Sequence, residues 1–204
     1  RSPSPQSPSP DVPCRDAAQR LAPGGDKVLL FLVDQAQRVG VSLSAAIVEE
    51  MSAYVRLIAR WNLHHGLVGG GVAAKRKAAR GDGFSDGDTV AWERIAGNHF
   101  PDAVQLAAAL PAAITCVDIG AGAGLPGIPL ALLRRDLCVT LVEPNQRKCA
   151  FLRTVVHELG ITVRVQAERM EMLSAPSFAA AWSRATWSPT EWLRRAPVLV
   201  ETGG

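Results

Sequence analysis

The feature that most constrains this sequence is a glycine-rich run that directly follows a short apolar segment. Residues 114–119 read Ile-Thr-Cys-Val-Asp-Ile, a pattern typical of a buried strand. Residues 120–127 then read Gly-Ala-Gly-Ala-Gly-Leu-Pro-Gly. Glycine lacks a Cβ, so such a loop can adopt positive φ and bring its backbone close to a ligand. In an open parallel α/β sheet, a ligand binds where such a loop leaves the carboxyl end of a strand.

The sequence after this loop alternates between helical and strand-like segments. The predicted elements are a helix over 127–135, a strand over 138–143, a helix from the N-cap Asn145 to residue 159, a strand over 161–166, a weaker strand over 178–183 and a helix beginning at Ser188-Pro-Thr-Glu191. Strands that alternate with helices indicate an α/β fold with a mostly parallel, doubly wound sheet.

Three regions are predicted along the chain. Residues 1–27 are a disordered leader, because Ser-Pro repeats cannot build a core. Residues 28–110 form an N-terminal helical cap, since apolar side chains recur at spacings of three and four up to Trp61. This cap contains a flexible basic loop over 66–90, which either contacts RNA phosphates or is simply solvated, the simpler reading. Residues 111–204 form the ligand-binding core.

Composition excludes several classes of protein. Hydrophobic residues make up 48% of the 204 residues and charged residues 20%, as in soluble globular proteins. The formal charge of +3 permits a nucleic-acid partner without requiring one. No apolar run approaches the roughly 18 residues of a membrane span, and the first residues are no signal peptide. The four cysteines lack zinc-ligand spacing, so we expect reduced thiols in a cytoplasmic protein, and no metal.

Two acidic residues give the loop a chemical interpretation. Asp118 ends the first strand and can anchor either the loop or the charged amino-acid end of a ligand. Glu143 closes the second strand, where a carboxylate can accept hydrogen bonds from both ribose hydroxyls of an adenosyl group. The third strand leads to Arg169-Met-Glu171, where an adenine would lie. Together these positions predict S-adenosylmethionine as the cofactor.

A dinucleotide-binding oxidoreductase is the alternative enzyme. Residues 122–127 do spell GxGxxG, and Glu143 could bind the ribose of NAD(P). However, the glycine run begins two residues earlier, directly after the strand. Pro126 and Pro129 also lack the backbone N–H groups that a pyrophosphate needs in this turn. A sulfonium cofactor has no phosphate, so the sequence favours a methyltransferase.

Longer motifs make the sequence similar to one family. The segments that carry this similarity are Val117-Asp-Ile-Gly-Ala-Gly-Ala-Gly-Leu-Pro-Gly-Ile-Pro-Leu130, Arg147-Lys-Cys-Ala-Phe-Leu-Arg153, Arg169-Met-Glu171 and Ser183-Arg-Ala185. They resemble the RsmG (GidB) family of bacterial 16S rRNA guanine-N7 methyltransferases, which are class I enzymes dependent on S-adenosylmethionine. The resemblance covers roughly residues 43–204, apart from 66–90. Leu125-Pro-Gly-Ile-Pro129 and Ser183-Arg-Ala185 are its more specific parts.

The resemblance implies a site and a reaction. The cofactor-binding residues expected from motif and resemblance together are Asp118, Gly120, Gly122, Gly124, Leu125, Glu143, Met170, Glu171 and Arg184. The implied acceptor is a guanine N7 in 16S rRNA or the small ribosomal subunit. N7 carries a lone pair and no proton, so no catalytic base is needed, and Arg184 is the candidate to touch cofactor or RNA rather than form a surface salt bridge.

The resemblance also implies that the fold is incomplete. A class I fold has seven strands and this chain supplies four, so we expect C-terminal strands to be missing from the core. The full-length protein is expected to be a monomer. Besides the oxidoreductase, a non-catalytic RNA-binding fragment stays open as a third hypothesis.

Overall fold

A computed structural model describes residues 25–65, 67, 86–173 and 178–201. The α-helices and strands in these ranges are α1 (Gly25–Arg38), α2 (Ala45–His65), α3 (Asp86–Ala109), β1 (Thr115–Ile119), α4 (Gly127–Leu133), β2 (Cys138–Val142), α5 (Gln146–Glu158), β3 (Val163–Gln166), β4 (Ala180–Ser183) and α6 (Pro189–Arg195). Short 3₁₀ helices span Met170–Met172 and Ala196–Val198. Residues 1–24 of the predicted leader, and the predicted basic loop between Leu67 and Asp86, lie outside the described residues.

The sheet confirms the predicted α/β architecture. Its four strands in the described ranges are all parallel and follow the order β3-β2-β1-β4. The chain moves outward from β1 through β2 to β3, then crosses back to place β4 on the other side of β1. This reversal creates a topological switch point between β1 and β4. Open α/β sheets bind their ligands beyond the carboxyl ends of the strands at such a point, and this region is called the crevice below.

The two faces of the sheet are covered very differently. Side chains of Cys116, Val139 and Leu141 point to one face, where they join a large core with α2, α3, α4 and α5. The other face carries Val117, Ile119 and Val142 under a much smaller cover. That cover consists of Met170, Leu199 and partly buried neighbours that include Trp187 and Trp192. A groove of about 670 Å³ runs beside it, over Cys138, Thr140 and Arg164.

The end of α3 is fixed by one arginine. Arg134, which follows α4, donates to the carbonyl oxygens of Ala107 at 2.7 Å and Leu110 at 3.0 Å. It also pairs with Asp136 at 2.8 Å and so lowers the pKa of that carboxyl group. Arg134 thereby satisfies Ala107 O, one of the last carbonyls of α3 that have no partner within their own helix. This contact sets α3 against the sheet.

Two other kinds of feature are absent from the described residues. Across the described ranges, no helix combines the length and apolarity needed to cross a membrane. Within the same ranges, no cluster of three or more His, Cys, Asp or Glu side chains could hold a metal ion.

Candidate functional site

The glycine loop, residues 120–126, is folded tightly by its own backbone. Gly120 N and Ala121 N both donate to Val142 O at the end of β2, at 2.9 and 3.1 Å. Gly124 N donates to Ala121 O at 2.7 Å. Gly124 has a φ of +89°, and a Cβ there would lie 2.5 Å from Ile128 Cγ1. Both the backbone angle and the lack of space therefore require glycine at this position.

Asp118 lies beneath the loop on the helix-covered face of the sheet. The residue is fully buried, and its Oδ2 accepts a hydrogen bond from Gly127 N at 3.0 Å. A Cβ on Gly127 would lie only 2.7 Å from the same oxygen. Of the two roles that the sequence left open for Asp118, this geometry is that of a loop anchor.

The hydrogen bonds of the Asp118 carboxyl group offset only part of the cost of burying it. Burial raises its pKa to about 7, against the opposing effects of the Trp182 indole and Gly127 N–H. Trp182 is the register partner of Asp118 on β4. Even so, neither Asp118 Oδ1 nor Trp182 Nε1 has a hydrogen-bond partner of normal geometry. Burial therefore favours the protonated form of the Asp118 carboxyl group.

Tyr54 connects the helical cap to the loop. Its ring is fully buried, and its hydroxyl donates to Ala123 O at 2.6 Å. Burial, and secondarily the charge of Asp118, raises the pKa of this hydroxyl well above its ordinary value. In the sequence Tyr54 is one member of an apolar helical stripe, although a buried tyrosine hydroxyl needs a partner. That need predicts a hydrogen-bond partner for the Tyr54 hydroxyl, but it does not identify Ala123 as the partner.

Glu143 links the ends of three elements at the crevice. The residue is 5% exposed. Its Oε2 accepts from Gly122 N at 2.9 Å, and its Oε1 accepts from Asn145 N, also at 2.9 Å. Asn145 in turn caps α5, as predicted, since its side chain accepts from Arg147 N and Lys148 N. The carboxylate thus fixes the loop and the start of α5 in one position.

The predicted adenine region, Arg169-Met-Glu171, lies at a 3₁₀ turn that side chains of α6 contact. Met170 is buried against the sparsely covered face, whereas the side chain of Glu171 is 56% exposed. Glu171 accepts from Arg195 of α6 at 3.2 Å. Arg195 also lies over the Trp187 ring, 5.3 Å from its centroid. The turn after β3 is therefore tied to α6 by side chains.

Arg184 leaves the end of β4 and turns toward the helical cap. Its guanidinium donates to His99 Nδ1 and, at 3.0 Å, to Asn98 O. It also pairs with Asp102 at 3.2 Å. Two residues later, the Thr186 hydroxyl lies where a Cβ on Gly120 would fall. The segment after β4 therefore forms the second wall of the crevice, opposite the glycine loop.

The structure brings most of the predicted site residues to one edge of the sheet. The residues at this edge are Gly120, Gly122, Glu143, Met170, Glu171 and Arg184. Asp118, Gly124 and Leu125 are buried behind the loop and contact core residues. Their contacts within the protein are with the loop and the core.

These features define a class of protein. A parallel sheet in the order β3-β2-β1-β4, a glycine loop after β1 and a buried acid after β2 are the Rossmann-like fold of class I methyltransferases. The family model described as rRNA small subunit methyltransferase G (GidB) matches residues 88–204. The chain belongs to this family.

Individual relatives agree with the family. The chain is 48% identical over 79 residues to ribosomal RNA small subunit methyltransferase G of Mycobacterium sp. (strain KMS), covering 39% of this chain and 35% of the relative. It is 30% identical over 167 residues to the protein of that name from Neisseria gonorrhoeae (strain NCCP11945), covering 81% of this chain and 72% of the relative. The match thus spans about a third of the mycobacterial protein.

A solved structure shows a weaker likeness. Coclaurine N-methyltransferase, bound to N-methylheliamine and SAH, has a TM-score of 0.48 and 14% sequence identity. The match covers 93% of this chain and 58% of that one.

Proposed function

We propose that this protein transfers a methyl group from S-adenosylmethionine to N7 of a guanine in the 16S rRNA of the small ribosomal subunit. The observation that carries the proposal is the crevice between β1 and β4, with Glu143 at its edge and the glycine loop as one wall. Membership of the methyltransferase G family supports the reaction and the class of substrate.

The residues present fit S-adenosylmethionine. Each Glu143 oxygen accepts one backbone N–H, and a carboxylate oxygen can accept two hydrogen bonds. One acceptor position per oxygen therefore remains for the two ribose hydroxyls. At Gly122 a Cβ would meet only Gly120 O, at 3.8 Å, so the loop leaves room beside that carboxylate. When bound, the cofactor supplies a methyl group on an electrophilic sulfonium.

The same loop is poorly suited to NAD(P). A pyrophosphate needs free backbone N–H groups at the start of the helix. Here Gly122 N donates to Glu143, Gly127 N to Asp118 and Ile128 N to Gly124 O. Pro126 and Pro129 have no N–H to offer. The hydrogen bonding of the loop therefore favours the methyltransferase over the oxidoreductase.

A methyl acceptor that carries no proton to remove suits the side chains around the crevice. Asp118 is buried behind the loop, and His99 accepts a hydrogen bond from Arg184. Neither group is placed to remove a proton from a substrate. Guanine N7 has a lone pair and no proton, so its methylation requires in-line positioning and electrostatic support instead.

The proposal includes a cellular context. Cys116 and Cys149 are buried free thiols, and burial raises the pKa of Cys116 to about 12 and also that of Cys149. Such inert thiols suit a reducing, cytoplasmic compartment, where small ribosomal subunits assemble. We also propose that the full-length protein is a monomer. Light scattering, which measures its molar mass in solution, tests this.

Methyl transfer to purified small subunits tests the proposal directly. The substrate is subunits from cells that lack the endogenous enzyme, and the product is located by mass spectrometry of nuclease fragments. We expect one methyl group on N7 of one guanine. Subunits from cells that retain the enzyme are the matched control, since their acceptor is already occupied.

The other outcomes separate the alternatives. Transfer to another nucleotide would keep the enzyme class and overturn the N7 assignment. RNA binding that survives Asp118→Ala without any methyl transfer would support a non-catalytic RNA-binding protein. Binding of NAD(P) without binding of S-adenosylhomocysteine would support the oxidoreductase.

A further inference from the structure

A cluster of charged and aromatic side chains joins the turn after β3 to α6. Its members, here called the Glu171 cluster, are Glu171 from the 3₁₀ turn, Trp187 from the segment before α6, and Glu191, Trp192 and Arg195 from α6. Both tryptophans pack against the small core on the sparsely covered face of the sheet. The cluster therefore links the segments that leave the carboxyl ends of β3 and β4.

Arg195 is the centre of the Glu171 cluster. Its Nη1 donates to Glu171 Oε1 at 3.2 Å, while its Nε and Nη2 donate to Glu191 Oε1 at 3.1 and 2.9 Å. The guanidinium also lies over the Trp187 ring, which stacks on Trp192 with 5.8 Å between the ring centroids. A planar guanidinium that is held by two carboxylates and an aromatic ring has little freedom to rotate. The position of Arg195 is therefore fixed by α6 and the tryptophans, independently of Glu171.

The contact with Arg195 uses only one oxygen of Glu171. Among the described residues, no donor reaches Glu171 Oε2, and the side chain is 56% exposed. An ion pair as exposed as this one contributes little to the stability of the fold. A carboxylate with one oxygen fixed by a guanidinium nevertheless keeps its second oxygen as an acceptor in a defined direction. The Glu171 cluster can therefore direct an acceptor even though it adds little stability.

The turn that carries Glu171 lies beside the expected ribose site. Glu143 N donates to Gln166 O at 3.0 Å, so the end of β3 is adjacent to the proposed acceptor of the ribose hydroxyls. Met170, directly before Glu171, belongs to the same buried cluster as Val142, directly before Glu143. The adenine of the cofactor is bonded to its ribose, so a ribose at Glu143 brings the base close to this turn. The free oxygen of Glu171 therefore has an edge of the adenine as its nearest expected partner.

We propose that Arg195 is a positioning residue for recognition of the cofactor's base, holding the Glu171 carboxylate so that its free oxygen accepts the amino group of adenine. This inference rests on the proposed function, which places S-adenosylmethionine in the crevice. The amino group of adenine is a hydrogen-bond donor, whereas a base with a carbonyl at that position would turn an acceptor toward the carboxylate. A fixed carboxylate rejects such a base, because two acceptors then face each other without a proton between them. Arg195 thereby strengthens the preference for an adenosyl cofactor without touching it.

Two ligands that differ only in the base test the proposal by calorimetric titration of the full-length protein. S-inosylhomocysteine has a carbonyl oxygen where S-adenosylhomocysteine has the amino group. For the wild type we expect a Kd for the inosyl compound at least about tenfold above that for the adenosyl compound. Arg195→Met keeps much of the side-chain length but cannot donate, and it should lower this ratio at least about threefold. Arg194→Met, the neighbouring arginine of α6, is the matched control and should keep the wild-type ratio.

A second variant separates positioning of Glu171 from a general effect on α6. Glu171→Gln should itself lower the ratio, because its amide can donate to the inosine carbonyl. If Arg195 acts through Glu171, Arg195→Met should leave the ratio unchanged in the Glu171→Gln background. An equal effect of Arg195→Met in both backgrounds would assign it to the structure of α6 and overturn the proposal. So would a wild-type ratio in the single variant Arg195→Met.

The outcomes for the wild type keep this inference separate from the proposed function. Wild-type protein that binds both compounds equally would overturn the role of Arg195 and Glu171 in base recognition. Methyl transfer to guanine N7 by the same protein would then leave the proposed function intact. Wild-type protein that binds neither compound would overturn both proposals.

Discussion

The two walls of the crevice are built in different ways. The glycine loop after β1 is fixed by backbone hydrogen bonds and by two buried side chains, those of Asp118 and Tyr54. The segment after β4 is fixed by half-exposed arginines, since Arg184 reaches α3 and Arg195 reaches Glu171. Buried backbone contacts are stronger and less sensitive to salt than exposed ion pairs. The first wall should therefore be rigid and the second adjustable.

The largest expected effect comes from adding one carbon atom to the rigid wall. In Gly124→Ala the new Cβ would lie 2.5 Å from Ile128 Cγ1 and 2.9 Å from Leu152 Cδ2, at a φ of +89°. We expect a loss of about 3 kcal/mol or more in the free energy of unfolding, measured by urea denaturation. Gly160→Ala is the matched control, because its φ is +59° but nothing lies within 4 Å. Equal losses in both variants would show that backbone strain alone acts and that the packing of the loop is unimportant.

Asp118 provides a pH test of the same wall. Its pKa is about 7 in the folded protein, above the ordinary aspartate value, so its contribution to stability is complete at low pH and is lost as pH rises toward 7. The free energy of unfolding should lose up to about 1.4 kcal/mol per pH unit from this group between about pH 4 and pH 7. Asp118→Asn should remove that slope. A variant with the wild-type slope would place the titration on another group.

Tyr54 tests whether the helical cap supports the loop. Tyr54→Phe leaves Ala123 O without its donor, and we expect a cost of about 1–3 kcal/mol together with weaker binding of S-adenosylhomocysteine. Ser52→Ala, in the same helix, also removes a buried hydroxyl that donates to a backbone carbonyl, that of Val48, but does not touch the loop. Calorimetry should therefore show weaker ligand binding only for Tyr54→Phe. Equal affinities would show that the cap acts on the loop through packing alone.

The smallest expected effect is on the adjustable wall. Arg195→Gln breaks exposed ion pairs with Glu171 and Glu191, which contribute about 0.2–1 kcal/mol and are screened by salt. Thermal unfolding should show a small loss that shrinks at high ionic strength. Arg194→Gln, its neighbour on α6, makes neither pair in this structure and is the control. If Arg195→Gln lowered the free energy of unfolding as much as Gly124→Ala does, the two walls would not differ in rigidity.

The same contrast explains what the sequence could predict. The strands, the glycine loop, the Asn145 cap and the helix start at Ser188 were predicted and are confirmed. Each depends on residues close together in the chain. The reciprocal half of the Ser188 capping box is absent, because Glu191 accepts from Arg195 instead. Two predicted bounds were wrong, since helix α1 begins at Gly25, inside the predicted leader over 1–27, and helix α3 begins at Asp86, inside the predicted loop over 66–90.

The long-range contacts of the site were not predictable. Tyr54 reaches Ala123 across 69 positions, and Arg184 reaches His99 across 85. Periodicity assigns a side chain to a face of its element, but it does not identify the partner across the fold. Asp118 illustrates this limit, since an anchor and a ligand contact look alike until the carboxylate is seen with Gly127 N. Its direct contact with the cofactor, like the other predicted cofactor contacts, stays a prediction.

Calorimetric titration of the full-length protein with S-adenosylhomocysteine and, separately, with NAD tests the central claim most directly. We expect binding of S-adenosylhomocysteine to one site, weakened at least about tenfold in Glu143→Ala because the ribose hydroxyls lose their acceptor. We expect no binding of NAD. Binding of NAD in place of S-adenosylhomocysteine, or S-adenosylhomocysteine affinity that is independent of Glu143, would contradict it.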